Sequence, residues 1–118
     1  MIEYARRMGH VWFAGEAGNW DLAQYQVIEM REIQETAETT RPARAPALKA
    51  FESSFLEPLE QATKDKDKAK FESAYNAAIQ GCNSCHGSQT SPDWPQGFKF
   101  VKVQMPKDTL ESIYSYTP

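Results

Sequence analysis

FESAYNAAIQGCNSCH, residues 71–86, decides the fold. Phe71, Ala74, Tyr75, Ala78, Cys82 and Cys85 recur at steps of three and four, the spacing of one helical face. The stretch predicts a helix over roughly 67–86. Its two cysteines are the only ones in the chain, and they continue the apolar stripe. Whatever they bind is therefore held against the interior of a helical assembly.

Upstream, the run Lys64-Asp65-Lys66-Asp67-Lys68 reads as a polar connection whose aspartates cap that helix. A third helix precedes it, starting near Pro46, a residue suited to the first turn. Leu48, Phe51, Phe55, Leu59 and Ala62 follow the 3.6-residue period. Pro58 removes a bond to the Ser54 carbonyl and predicts a kink. A break at Thr39-Thr40-Arg41-Pro42 separates this helix from a second one over roughly 20–39. There Ala23, Val27, Met30, Ile33 and Ala37 form the apolar stripe, with Leu22 alongside. Asn19 is a good N-cap, and Asp21 suits the positive end of the helix dipole. A first helix covers roughly 1–17, with Tyr4, Met8, Val11, Trp12 and Gly15 on one face. Gly15 and Gly18 weaken its end.

Four amphipathic segments with short connections predict an all-α, antiparallel four-helix bundle over 1–87. The tail, 88–118, differs. Ser91-Pro92-Asp93-Trp94-Pro95 reads as a loop, and Phe98, Phe100, Val101 and Val103 as an extended stretch over the bundle. The whole is one domain of 118 residues, long enough to bury a core.

Composition narrows the function. Apolar residues make up 41 %, charged residues 25 %, and the net charge is −3. That balance is ordinary for a globular chain and argues against a nucleic-acid surface. No run approaches the ~18 apolar residues of a membrane span.

Three chemistries fit Cys82-Asn83-Ser84-Cys85-His86. A zinc site wants four ligands, usually in two spaced pairs. Here only His10 and His86 complete the count, and His86 is adjacent to Cys85. A redox dithiol usually opens a helix, where the dipole activates the nucleophile; this pair closes one. The third chemistry is covalent haem, whose attachment signature is Cys-x-x-Cys-His. One helical turn between the thiols presents both to one porphyrin edge. His86 then reaches the iron as proximal ligand. The expectation is haem c, one per chain. Such attachment happens outside the cytoplasm, so the expected location is the periplasm. No secretory leader opens the chain at Met1-Ile2-Glu3-Tyr4, so the leader is expected to have been removed.

A four-helix bundle with Cys82, Cys85 and His86 near the end of its last helix resembles the class II c-type cytochromes, the cytochrome c′ group. Val11-Trp12-Phe13-Ala14-Gly15, Asn19-Trp20, Leu22-Ala23 and the Gly-Cys-Asn-x-Cys-His run resemble a little-characterised group of bacterial haem proteins of this type. The tail departs from the class II pattern, which usually ends soon after the motif. The resemblance implies that the far side of the haem faces the first helix. An apolar residue there leaves the iron open to small gases; a methionine there makes an electron carrier.

Met8 occupies that stripe and is the expected sixth ligand. His10, about 200° round the helix from Met8, is an alternative that needs helix 1 rotated. Met105, in Val103-Gln104-Met105-Pro106, is another, and Met30 completes the candidates. Most methionines on such stripes are simply core. Trp12, Tyr25, Tyr75 and Trp94 are aromatic candidates for packing on the porphyrin, and Arg7, Arg41 and Arg44 for its propionates.

The expected function is single-electron transfer to a transient redox partner protein, with no catalysis by the chain alone. A five-coordinate gas-binding or gas-sensing haem is the alternative, as is a haem subunit of a larger oxidoreductase. The class II resemblance also implies a homodimer through the first two helices.

Overall fold

The computed structural model describes residues 2–88 and 103–106. All regular structure among them is helical. Helix α1 runs Ile2–Glu16 and α2 runs Trp20–Thr40. A short 3-10 turn, Pro42–Arg44, leads into α3, Ala45–Phe51. A π-helical turn, Glu52–Leu56, joins α3 without a break to α4, Glu57–Asp65. Helix α5 runs Lys68–Ser88. The assembly therefore has four helical arms, with α3, the π turn and α4 forming the third. No described helix is long and apolar enough to cross a membrane.

Two residues make the first corner. Gly18 adopts a left-handed φ of 76°. That turns the chain so that Gly18 N–H donates to the Gly15 carbonyl (3.0 Å) and Asn19 N–H to the Ala14 carbonyl (2.8 Å). Together these bonds satisfy carbonyls that a helix end leaves bare. Asn19 then caps α2, its Oδ1 accepting from Leu22 N–H at 3.3 Å. Gly15, expected to weaken α1, lies inside it. It is buried, and the Phe71 ring occupies the space where a Cβ would sit.

The last corner uses the same bonds without glycine. Lys66 takes a left-handed φ of 53°. Its N–H donates to the Thr63 carbonyl, and Asp67 N–H to that of Ala62. Asp67 caps α5, its Oδ1 accepting from Lys70 N–H at 3.0 Å. Of the expected polar connection, Lys64 and Asp65 are the final residues of α4.

The third arm departs from expectation at Pro58. The predicted local kink appears instead as a widened turn. Glu57 N–H donates to the Glu52 carbonyl, five residues back. Widening the turn ahead of a proline moves carbonyls away from its ring. It also adds a residue to the phase of the helix, which brings Leu56 to full burial beside Leu59 and Ala62.

The core gathers Met8 and Val11 of α1, Val27 and Met30 of α2, Leu56, Leu59 and Ala62 of the third arm, and Phe71, Tyr75, Ala78 and Ile79 of α5. Helix α1 packs along α2, and α4 lies against both α2 and α5. Aromatic rings join α1 to α5: Trp12 lies 4.9 Å from Tyr75 and 6.0 Å from Phe71, centroid to centroid. The Tyr75 hydroxyl donates to the Met8 carbonyl at 2.8 Å. Arg31 of α2 clamps the third arm, pairing with Glu52 (2.9 Å) and Glu60 (3.0 Å). Leu22, expected alongside the α2 stripe, is exposed.

Candidate functional site at the end of helix 5

The sequence builds this site on the last turns of α5. Cys82, Cys85 and His86 are all half-buried, and neither cysteine is in a disulfide. Cys82 continues the face that buries Phe71, Tyr75 and Ala78, as the spacing predicts. Gly81 precedes it and is buried. The Phe55 ring of the π turn lies against Gly81, its Cε2 only 2.4 Å from where a Cβ would stand. The widened turn and the glycine thus work together. One aims an aromatic ring, and the other leaves room for it against the backbone beside the first cysteine.

On its other side Cys82 faces α1. Burial, then Cys82, a thiolate at the alkaline pH where this phenol titrates, then Glu52 push the Tyr4 hydroxyl well above the ordinary phenol range. It is a neutral phenol that donates to Gln34 Oε1 at 3.1 Å. Gln34 Nε2 donates in turn to the Leu48 carbonyl. A polar chain therefore runs from the neighbourhood of Cys82 through α2 to α3. The Cys82 thiol itself is pushed up to about 11, by burial first and then by Cys85. It is a protonated thiol at neutral pH. That is the reverse of the activated thiolate a redox dithiol needs.

A small ion needs ligands that converge at 2.0–2.3 Å from one point. Among the described residues no three His, Cys, Asp or Glu side chains come together in that way, so the four-ligand zinc set with His10 is not assembled. Separated attachment points suit a large planar group. Two thiols one helical turn apart, with an imidazole on the next residue, are the donor set that haem attachment requires. The residues present fit that group.

The contacts between α1 and α5 fix the level of each sixth-ligand candidate. Gly15 meets Phe71 and Tyr4 lies near Cys82, so the two helices run antiparallel. Met8 then stands at the level of Ala78, about 12 Å along the axis from His86 at 1.5 Å per residue. It is 6 % exposed and part of the core, as is Met30. His10 is half-buried. Burial, then Arg7 and Arg6, lower its pKa against the opposing pull of Glu3. Met105 is half-buried and packs with Val103 against the core.

Of the aromatic candidates, Trp12 and Tyr75 belong to the α1–α5 core contact, and Tyr25 is exposed on α2. Trp94, Phe98, Phe100 and Val101 lie outside the described residues. Arg7 is engaged with Glu3 (2.9 Å) and with Gln26 Oε1 (2.9 Å). Arg41 is exposed and Arg44 half-buried.

Two residues have contacts at the site that the sequence does not report. One is Asn83, which makes two hydrogen bonds to Val103. The other is Phe55, assigned to the core stripe but placed against the motif by the π turn. Tyr4 was legible as a stripe residue, though its closeness to Cys82 was not. Comparison of the chain with family models, with curated proteins and with solved structures found no match in any of the three.

Proposed function

We propose that the chain is a monohaem c-type cytochrome of the class II, four-helix-bundle kind, working as a periplasmic electron carrier. One observation carries the reading. Two thiols outside any disulfide stand one turn apart on α5, with His86 on the next residue, and Cys82 continues the face that forms the core. Bound haem supplies a one-electron iron couple.

The rest is the work of this chain's residues. Cys82 and Cys85 would hold the group through thioethers, each S–H adding across one vinyl C=C with no oxidant required. His86 would ligate the iron on one side. Helix α1 lies against the cysteine flank of α5, and its stripe, Tyr4 and then Met8, supplies the other side. Met8 is the proposed sixth ligand, with His10 and Met105 as the alternatives. Phe55, packed on Gly81 beside Cys82, and the buried Ile79 one turn before it would keep water from that side of the group, which tunes the couple through a low-dielectric surrounding. Partners are redox proteins meeting an exposed edge in a small, transient interface. Leu22, Tyr25 and Ile28 expose apolar surface on α2, the face through which the class II resemblance implies a homodimer.

The ferrous absorption spectrum with and without carbon monoxide tests this reading. Sharp low-spin bands that ignore the gas are expected, and Met8→Ala should convert them to a broad spectrum that shifts with it. A wild-type protein that binds the gas rapidly would replace the electron carrier with a gas-binding haem.

A further inference from the structure

Asn83 stands between the two cysteines and carries a contact that the attachment chemistry does not need. Its Nδ2 donates to the Val103 carbonyl at 2.9 Å, and its Oδ1 accepts from Val103 N–H at 2.7 Å. A side-chain amide offers a donor and an acceptor side by side. Using both on one residue fixes the position and the direction of the Val103–Pro106 strap. Val103 and Met105 are half-buried against the core while Gln104 is exposed. That is the alternation of an extended segment lying on a surface. Pro106 favours an extended Met105 before it.

Helical phase tells which side of the motif the strap covers. At 100° per residue, Cys82 and Cys85 lie about 60° apart on one flank of α5. His86 lies between Cys82 and Asn83, about 40° from the first and 60° from the second, so Asn83 is on the side of His86 away from the cysteines. The strap is therefore fastened at Asn83, on the side of His86 away from the cysteines, whereas α1, with Tyr4 beside Cys82, lies on the other side. Asn83 and His86 are one helical turn apart. Two extended residues, roughly 6.6 Å, cover a comparable distance.

We propose that Asn83 is a positioning residue for His86. It straps Val103–Pro106 along the histidine side of the motif, where a strap carbonyl beyond Val103 accepts the imidazole N–H not facing the iron. The inference rests on the haem reading above. A ligating histidine holds its ring orientation through such an outer hydrogen bond, which also raises its basicity. Placed there, Met105 would be part of the wall behind His86, which withdraws it from the alternatives to Met8 named above and leaves His10 alone among them.

The test uses the exported, haem-loaded protein and two variants. Asn83→Ala should keep covalent haem and its insensitivity to carbon monoxide. Its reduction potential should rise, because a less basic imidazole stabilises the ferric state less. The acid-induced loss of the histidine ligand should move up by about one pH unit, a tenfold weaker hold. Leu59→Val, a core change on α4, should move neither readout, which separates positioning from general loosening. Met105→Ala should leave the iron closed to carbon monoxide. An unchanged potential and acid midpoint in Asn83→Ala would overturn the proposal. So would opening of the iron in Met105→Ala, which would put the strap on the far side. A wild-type chain without covalent haem would overturn the haem reading itself, and this inference with it.

Discussion

Replacing Gly81 with alanine sets two effects of opposite sign against each other. In a helix interior, glycine to alanine ordinarily stabilises by about 1 kcal/mol. At Gly81 the new Cβ would stand 2.4 Å from Phe55 Cε2 and 2.7 Å from both Cδ2 and Cζ. Carbon atoms pack best at about 3.5–4.0 Å, so the ring has to retreat by more than an ångström. Phe55 has little freedom to do so. It packs on Phe51 at 5.2 Å and precedes the fully buried Leu56 in the π turn. Overpacking of this kind costs about 1–3 kcal/mol, so the expected net loss is about 1 kcal/mol.

Urea unfolding followed by circular dichroism reads that loss. With a slope of about 1–3 kcal/mol per molar urea, the midpoint should fall by roughly 0.5 M at unchanged slope. In a Phe55→Leu background the same Gly81→Ala change should become neutral or stabilising, since the two positions couple directly. Gly87→Ala, where a Cβ meets nothing within 4 Å, is the control and should not destabilise. A Gly81→Ala protein more stable than wild type would refute the close packing of Phe55 on α5.

Two further outcomes follow from the corners and charges. Lys66→Gly should raise stability by about 0.5–1 kcal/mol, because glycine takes the left-handed φ at the end of α4 without the side-chain penalty; thermal unfolding checks it, and a loss would contradict the Lys66 geometry. Burial first, then the Glu72 carboxylate, raises the Glu16 pKa, with Lys68 opposing. Glu16 Oε1 is buried without a donor, which a shared proton would relieve. A raised folded pKa means that stability is fully present below the ordinary glutamate range and is lost as pH rises through the folded value. Glu16→Gln should therefore stabilise relative to wild type at pH 7 and not at pH 4. Equal melting shifts at both pH values would contradict this.

The features legible in the sequence were those written in local spacing. The helix ends at Gly18-Asn19 and the Asp67 cap follow from residues that turn or cap a chain anywhere. So does the α5 stripe from Phe71 to Cys82. Pro58 announced a disturbance, but a missing N–H does not say how the backbone relieves it. The answer, a π turn, shifted the phase and hid the burial of Leu56. Gln26 and Gln34 are buried on α2 because Arg7 and Tyr4 of α1 meet them. No pattern along one helix reports a partner on another. Asn83 is the same case at longer range, since its partner Val103 lies 20 residues away. At the motif itself, the residue types were legible while the neighbours that position them were not.

The central claim is that Cys82 and Cys85 carry covalent haem. The most direct test is the intact mass of the chain after export through a secretory leader in cells that contain the haem-attachment machinery. The expected mass is the polypeptide plus one haem, retained after acidic organic extraction, and lost in the Cys82→Ser, Cys85→Ser double variant. The mass of the bare polypeptide under the same conditions would contradict the account.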